Sequence, residues 1–256
     1  MAALEIVQLP ARSDNYAVLV HDPETGATVA IDAPEAEPII ETLKAREWVL
    51  TDIFVTHKHF DHVEGVPALR DAYSARTIGP RKSAAATGLY DKTVGDGESF
   101  QWAGRKVEVI ATPGHTLDHV AYYVPQDGLA FVGDTLFALG CGRVFEGSAE
   151  EMWASLKALR DLPDETIVYC GHEYTLANAE FAASIDPQNE VLIARKGEIE
   201  ALRAEGEPTL PTTIGTEKAT NPFLRADDPE LQRVLGMEGE EPAAVFAEIR
   251  QRKDRF

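Results

Sequence analysis

Four times in this chain an apolar run of strand-forming residues ends in a side chain of the metal-ligand type. "DIFV" (52–55) runs into "THKHFDH" (56–62), "VEVIATPGH" ends on His115, "LAFVGD" on Asp134 and "TIVYCGH" on His172. A glycine stands directly before each of the last three (Gly114, Gly133, Gly171), where the backbone can turn sharply and approach closely. Strands that finish this way bring their side chains together only if they share a sheet region whose ends crowd around one point. That requirement constrains the fold more than any single element does.

In an extended strand residues i and i+2 point to one side. Just past the first strand, His57, His59 and Asp61 are therefore expected to converge while His62 starts to turn away. The chain has seven histidines, and three of them fall between positions 57 and 62, which a solvated polar turn does not require. Imidazole and carboxylate suit zinc, iron and manganese alike. With His115, Asp134 and His172 the set reaches five histidines and two aspartates. One tetrahedral ion cannot use seven ligands; two adjacent ions can, if a carboxylate bridges them.

The other chemistry-bearing residues read more plainly. His21, in a strand beside a hairpin turn, is expected at the surface. His119, opening a strand beside Asp118, is expected to give hydrogen-bonding support rather than to ligate. Cys170 reads as a buried small apolar residue, not a nucleophile. No Gly-x-Ser-x-Gly elbow and no phosphate-cradling loop occurs.

Up to about residue 173 the chain reads as short strands with intervening helices, a layered α/β sandwich. "LEIVQLP" (4–10), "NYAVLVHD" (15–22) and "ATVAIDA" (27–33) are strands, the last two joined by a hairpin loop at Pro23–Gly26. A weak amphipathic helix with Ile40 and Leu43 on one face follows over 34–47, and another helix spans 66–73. Strands are predicted at 105–111, 119–125, 128–133 and 166–171. Ser148 and Glu151 form a capping box that opens a helix with Met152, Leu156 and Leu159 inward. From 174 onward helical patterns dominate. One carries Leu192, Ile199 and Leu202 on a face, a Pro/Thr-rich loop runs from 207 to 225, and the basic tail "PAAVFAEIRQRKDRF" is helical again. The boundary divides a catalytic domain, 1–173, from a helical substrate-binding domain, 174–256.

Composition narrows the function classes. With 24 basic and 43 acidic residues the formal charge is −19, which argues against a nucleic-acid surface, because phosphate neutralisation needs cations. The two cysteines cannot build a disulfide framework, the first residues lack a basic segment followed by an apolar core, and no apolar run reaches membrane-spanning length. The expectation is a cytoplasmic protein, a monomer, with no membrane or nucleic-acid partner.

"THKHFDH" together with "TPGH", "GDT" and "CGHEYT" resembles the metallo-β-lactamase superfamily. "SDNYAVLV", "GDTLFALGCGRVFEG", "GHEYT", "NPFLR" and "RQRKDRF" narrow the resemblance to glyoxalase II, the hydroxyacylglutathione hydrolases, almost end to end. The resemblance implies an αβ/βα four-layer sandwich with a C-terminal helical domain. It also implies a binuclear thioesterase of methylglyoxal detoxification that hydrolyses S-D-lactoylglutathione by attack of a metal-bridging hydroxide. Carried over by position, His57, His59 and His115 hold one metal, Asp61, His62 and His172 the other, and Asp134 bridges. Zinc comes first, with iron or manganese as alternatives. Asp61, Asp134 and Tyr174 take the catalytic roles; Arg143, Phe145, Tyr174, Arg250 and Lys253 fall on the glutathione-contacting positions. Many relatives have Tyr where Phe145 stands and Lys where Arg143 stands. Those changes bear on affinity for the thiol carrier and leave the metal ligands alone. The rival readings are a mononuclear-iron persulfide dioxygenase on the same fold, a zinc nuclease, which the charge disfavours, and a metal-binding protein without turnover.

Overall fold

Every residue from Asn15 to His21 is buried, as a strand covered on both faces requires. The structure, a computed structural model, describes residues 2–256; Met1, at the start of the segment read for a leader, lies outside them. The chain divides into two units, residues up to Ala111 with Asp118–Gly133, and Thr112–Leu117 with Asp134–Phe256.

In the first unit β1 (Glu5–Ala11), β2 (Asn15–His21), β3 (Ala27–Ile31), β4 (Val49–Phe54), β5 (Arg76–Pro80) and β6 (Lys92–Val94) lie side by side in chain order. β1 to β3 form an antiparallel meander, so the hairpin at Pro23–Gly26 stands as read, and β3 to β6 are parallel. Parallel neighbours need crossovers. Helices α1 (Ala36–Ala45) and α3 (Val66–Tyr73) lie on two of them, the single turn α2 (Phe60–Val63) precedes α3, and the single turn α4 (Ala84–Thr87) lies on the third, between β5 and β6. Ile39, Leu43, Val66 and Leu69 of the helices share a core with Ala30, Leu50 and Ile53 of the sheet. The inward face of α1 is thus set by Ile39 and Leu43; Ile40 is only partly buried.

A second, antiparallel set in this unit contains β7 (Ser99–Trp102), β8 (Arg105–Ala111), β9 (Val120–Val124) and β10 (Leu129–Phe131). Its apolar side meets the first sheet, where Phe54 packs edge-on against Phe100 at 5.1 Å and beside Tyr122 at 5.3 Å. The buried Tyr122 hydroxyl donates to the carbonyl of Val55 at 2.7 Å, fixing the exit of β4. β6 and β7 escaped the sequence reading because Asp and Gly crowd the stretch between them. His21 corrects the surface expectation: it is buried, stacked on Trp48 at 4.4 Å with its Nδ1 2.9 Å from Thr28 Oγ1. Trp48, in the turn before β4, lies flat against the imidazole and takes the place of solvent.

The second unit is mostly helical. It holds the short hairpin β11 (Leu136–Phe137) and β12 (Gly140–Cys141), then α5 (Ala149–Arg160), β13 (Ile167–Tyr169), α6 (Thr175–Ile185), α7 (Glu190–Ala204), β14 (Thr212–Thr213), α8 (Ile214–Thr220), α9 (Pro229–Leu235) and α10 (Pro242–Arg255). The capping box of α5 forms as read, with Met152, Leu156 and Leu159 buried. On α7, Leu192 and Ile199 are buried but Leu202 is exposed: the core they join, with Leu139, Ala179 and Ala182, ends at Ile199. The segment read as a Pro/Thr-rich loop contains β14, α8 and a 3₁₀ turn at Pro222–Leu224. Its Thr213 and Asn221 accept the Thr216 and Phe223 N–H groups, so these polar residues begin helices instead of breaking them. Among the described residues no helix is long and apolar enough to cross a membrane.

Candidate metal centre

Each unit gathers a group of ligand-type side chains of its own. In the first, the chain leaves β4 through Val55 and Thr56 and meets Asp32, which follows β3. Asp32 accepts the Thr56 N–H at 2.8 Å and the Thr56 hydroxyl at 2.8 Å. With its proton committed to Asp32, Thr56 Oγ1 accepts at 3.0 Å from Nδ1–H of His57. His62 donates its Nδ1–H to the same aspartate at 2.8 Å. Both rings are thereby held in the tautomer whose Nε2 carries the lone pair, the form a metal requires.

His57 Nε2 faces His59 Nδ1 at 3.1 Å, and the His57 and His62 rings lie 4.1 Å apart. Asp61 Oδ2 stands 3.7 Å from His62 Nε2 and accepts from Asn15 Nδ2 at 3.1 Å. The convergence read from strand alternation has a different origin. After His59 the backbone turns into α2, which swings His62 back toward His57 instead of away. His119 is buried and stacks on His57 at 4.8 Å.

In the second unit a single carboxylate oxygen is the focus. Asp134 Oδ2 lies 3.4 Å from His115 Nε2 and 3.2 Å from His172 Nε2. His115 donates its Nδ1–H to the carbonyl of Arg143 at 2.9 Å, which again leaves Nε2 as the ligand atom. Gly114, with φ +146°, lets His115 arrive there: a Cβ on it would fall 2.6 Å from Met152 Sδ. Neutral imidazole nitrogens turned onto carboxylate oxygens and onto one another are a donor set suited to divalent zinc, iron or manganese.

The residues expected to meet substrate sit around this part. Tyr174, just before α6, stacks on His172 at 4.8 Å and 5° and is partly exposed. The exposed Phe145 ring lies 5.2 Å from His115. Arg143 is exposed, its nearest carboxylate Asp254 at 4.0 Å. Arg250 is buried: it donates to the Cys141 carbonyl at 3.0 Å, pairs with Asp254 at 2.9 Å and lies over Phe223. Lys253 donates to the Ala177 carbonyl at 2.7 Å between the rings of Phe181 and Phe256. Burial, and then the nearby Arg250 charge, lower its ammonium to about 8. Burial pushes the Cys141 and Cys170 thiols up to about 11 and about 12, so neither offers a thiolate at neutral pH.

Asp32, Thr56 and Asn15 were missed by sequence reasoning. The available signal was "AIDA", an aspartate set in an otherwise apolar strand exit, where an unpartnered carboxylate would be costly.

Known proteins resemble this chain along its whole length. The profile described as "Metallo-beta-lactamase superfamily" matches residues 24–172, and "Hydroxyacylglutathione hydrolase C-terminus" matches residues 173–256. A hydroxyacylglutathione hydrolase of Rhizobium meliloti (strain 1021) is 55% identical over 256 residues, all of both chains. Among solved structures, ETHE1 from Myxococcus xanthus superposes with a TM-score of 0.67 at 26% identity, covering 98% of each chain. TTHA1623 in a di-iron-bound form gives 0.60 at 26% identity, covering 84% of this chain and 98% of that one. This chain therefore has the metallo-β-lactamase fold with a helical C-terminal region, and it belongs to the hydroxyacylglutathione hydrolase family.

Proposed function

We propose that this protein hydrolyses S-D-lactoylglutathione, and related 2-hydroxyacylglutathiones, to D-lactate and glutathione. The observation that carries the reading is the enforced tautomer of His57, His62 and His115, each with Nδ1–H committed so that Nε2 is left to ligate. In this reading His57, His59 and His115 hold one divalent ion, Asp61, His62 and His172 a second, and Asp134 is shared. Zinc is the first choice, with iron and manganese as alternatives; a structural relative is described in a di-iron-bound form. When bound, such a pair lowers the pKa of water toward neutrality and polarises a carbonyl.

The chain's own residues do the rest. Asp61, steadied by Asn15, orients the attacking water. Tyr174 and Phe145 lend aromatic surface beside His172 and His115. Arg143 and Lys253 offer positive charge to the anionic tripeptide, on a chain whose formal charge is −19; Arg250 acts with them by anchoring Asp254 and the Cys141 carbonyl. The departing thiolate is a good leaving group and needs little acid assistance. Residues 1–173 form the catalytic part and 174–256 the substrate-binding part of a cytoplasmic monomer.

The test is thioester hydrolysis followed by absorbance, with metal quantified on the same sample. Turnover with two metals per chain is expected. One metal per chain refutes the binuclear assignment, and oxygen uptake with glutathione persulfide in place of thioester cleavage transfers the chain to the dioxygenase reading.

A further inference from the structure

The hairpin β11–β12 is buried from end to end, and its turn therefore needs partners for its backbone polar groups. Side chains supply them. Asn178 of α6 donates to the Ala138 carbonyl at 3.1 Å. Asn221 donates to the carbonyls of Phe137 at 3.2 Å and Gly140 at 3.0 Å. Glu217 of α8 accepts the Leu139 N–H at 2.8 Å, where Leu139 holds φ +57°. The grip is itself braced: Asn221 donates to Glu217 at 3.0 Å, and Arg195 of α7 pairs with Glu217 at 2.6 Å.

The other end of the same hairpin carries metal ligands. Asp134 precedes β11 with one residue between, and Arg143, whose carbonyl receives His115, follows β12 with Gly142 between. Gly142 N donates to Thr135 O at 3.3 Å across this open end. A Cβ on Gly142 would lie 2.0 Å from the Asp134 carbonyl and 3.1 Å from His115 Nδ1, so no slack separates hairpin from ligands. With two paired residues on each strand, a shift at the tip reaches the open end with little to absorb it.

We propose that Asn178, Glu217 and Asn221 are positioning residues for the metal ligands. By gripping the hairpin's tip, the helical part of the chain sets where Asp134 and the Arg143 carbonyl stand against His115. The inference rests on the binuclear reading above. It assigns to Asn221 of the "NPFLR" motif and to Glu217 work that packing alone does not demand, because a turn that only covers a core needs no set registry with a histidine.

Metal affinity, read by competition with a chelating dye, separates positioning from mere stability when melting temperatures are measured on the same samples. Asn221→Leu and Asn178→Leu keep most of the side-chain volume and remove the donors. Each is expected to weaken the less tightly held metal about 10- to 100-fold, the range for lost support of a ligand, with Asn221→Leu the larger. Glu217→Gln keeps an acceptor for Leu139 N–H but breaks the Arg195 pair that braces it; it is expected to melt lower and to weaken metal binding, but less than either leucine variant. Asp227→Asn, which loosens the Arg160 pair away from the hairpin, is the stability control. Unchanged metal affinity in both leucine variants overturns the proposal, as does an equal loss in Asp227→Asn. If Asn221→Leu does not fold, Asn178→Leu alone decides. Wild type that holds fewer than two metals overturns the binuclear reading and this proposal together; two metals in wild type with indifferent variants overturns the positioning role alone.

Discussion

The two units arrange their ligand-type side chains by opposite means. In the first unit four proposed ligands lie within six residues, His57 to His62, and side chains aim them: Asp32 and Thr56 fix the rings and Asn15 steadies Asp61. In the second unit the proposed ligands come from three distant points, and backbone aims them, through the Arg143 carbonyl and the hairpin that carries Asp134. A contiguous loop can be tuned one side chain at a time. Scattered ligands depend on where whole segments lie.

The largest expected effect falls where one atom serves two rings. Asp134→Ala removes the oxygen that both His115 and His172 approach, so metal content and thioester hydrolysis should fall together to background. Retained metal with lost activity would break the shared-ligand role, and retained activity would break the assignment outright.

Asp32→Asn probes the loop-built part. One carboxylate accepts from Thr56 and His62 and, through the Thr56 hydroxyl, sets the His57 tautomer. An amide there presents a donor to one of these groups. Metal affinity should fall about 10- to 100-fold, as for other lost supports of a ligand, with Asp134 and His115 untouched. Equal affinity in the variant and wild type would show that the loop holds its rings without Asp32, and the contrast between the units would lose its basis.

The same contrast explains what the sequence disclosed. The candidate ligands stood out because a strand end running into a ligand-type side chain recurs four times, three of them with a glycine between, and the sandwich was read from strands with intervening helices. The supports were hidden for two reasons. Asp32 reaches Thr56 and His62 across 24 and 30 residues, and no local pattern encodes such a pairing. The Arg143 carbonyl carries no residue identity, so nothing at position 143 could announce it. His21 was misread for a related reason: its cover, Trp48, lies far along the chain from it. Leu202 shows the reverse failure, a correct helical period that runs on past the core it was expected to join.

Outside the metal ligands the expected effects shrink. Lys253→Ala should raise KM for glutathione thioesters about tenfold, the loss of roughly one charge-assisted contact. The kcat for a small thioester lacking glutathione should stay unchanged. Equal effects on both substrates would remove Lys253 from substrate binding and leave it as a packing residue between Phe181 and Phe256.

The smallest effect is a pH dependence of stability from the same lysine. Its ammonium is lowered to about 8 in the folded chain, from 10.5, by burial and then by Arg250, while Glu180 and Cys141 pull the other way. Below about 8 the lysine is protonated in both states, and the folded chain carries the cost of a half-buried charge. Between about 8 and 10.5 the unfolded chain holds a proton that the folded chain has released, so stability rises with pH across that window. Lys253→Met should cancel that rise. Urea unfolding at pH 7.5 and pH 10 should therefore show wild type gaining on the variant at the higher pH, by a modest amount because solvent still reaches the amine. A gap that stays constant or widens in the variant's favour would mean that the ammonium is not held in a desolvated place. The helical part would then meet glutathione with an ordinary surface lysine.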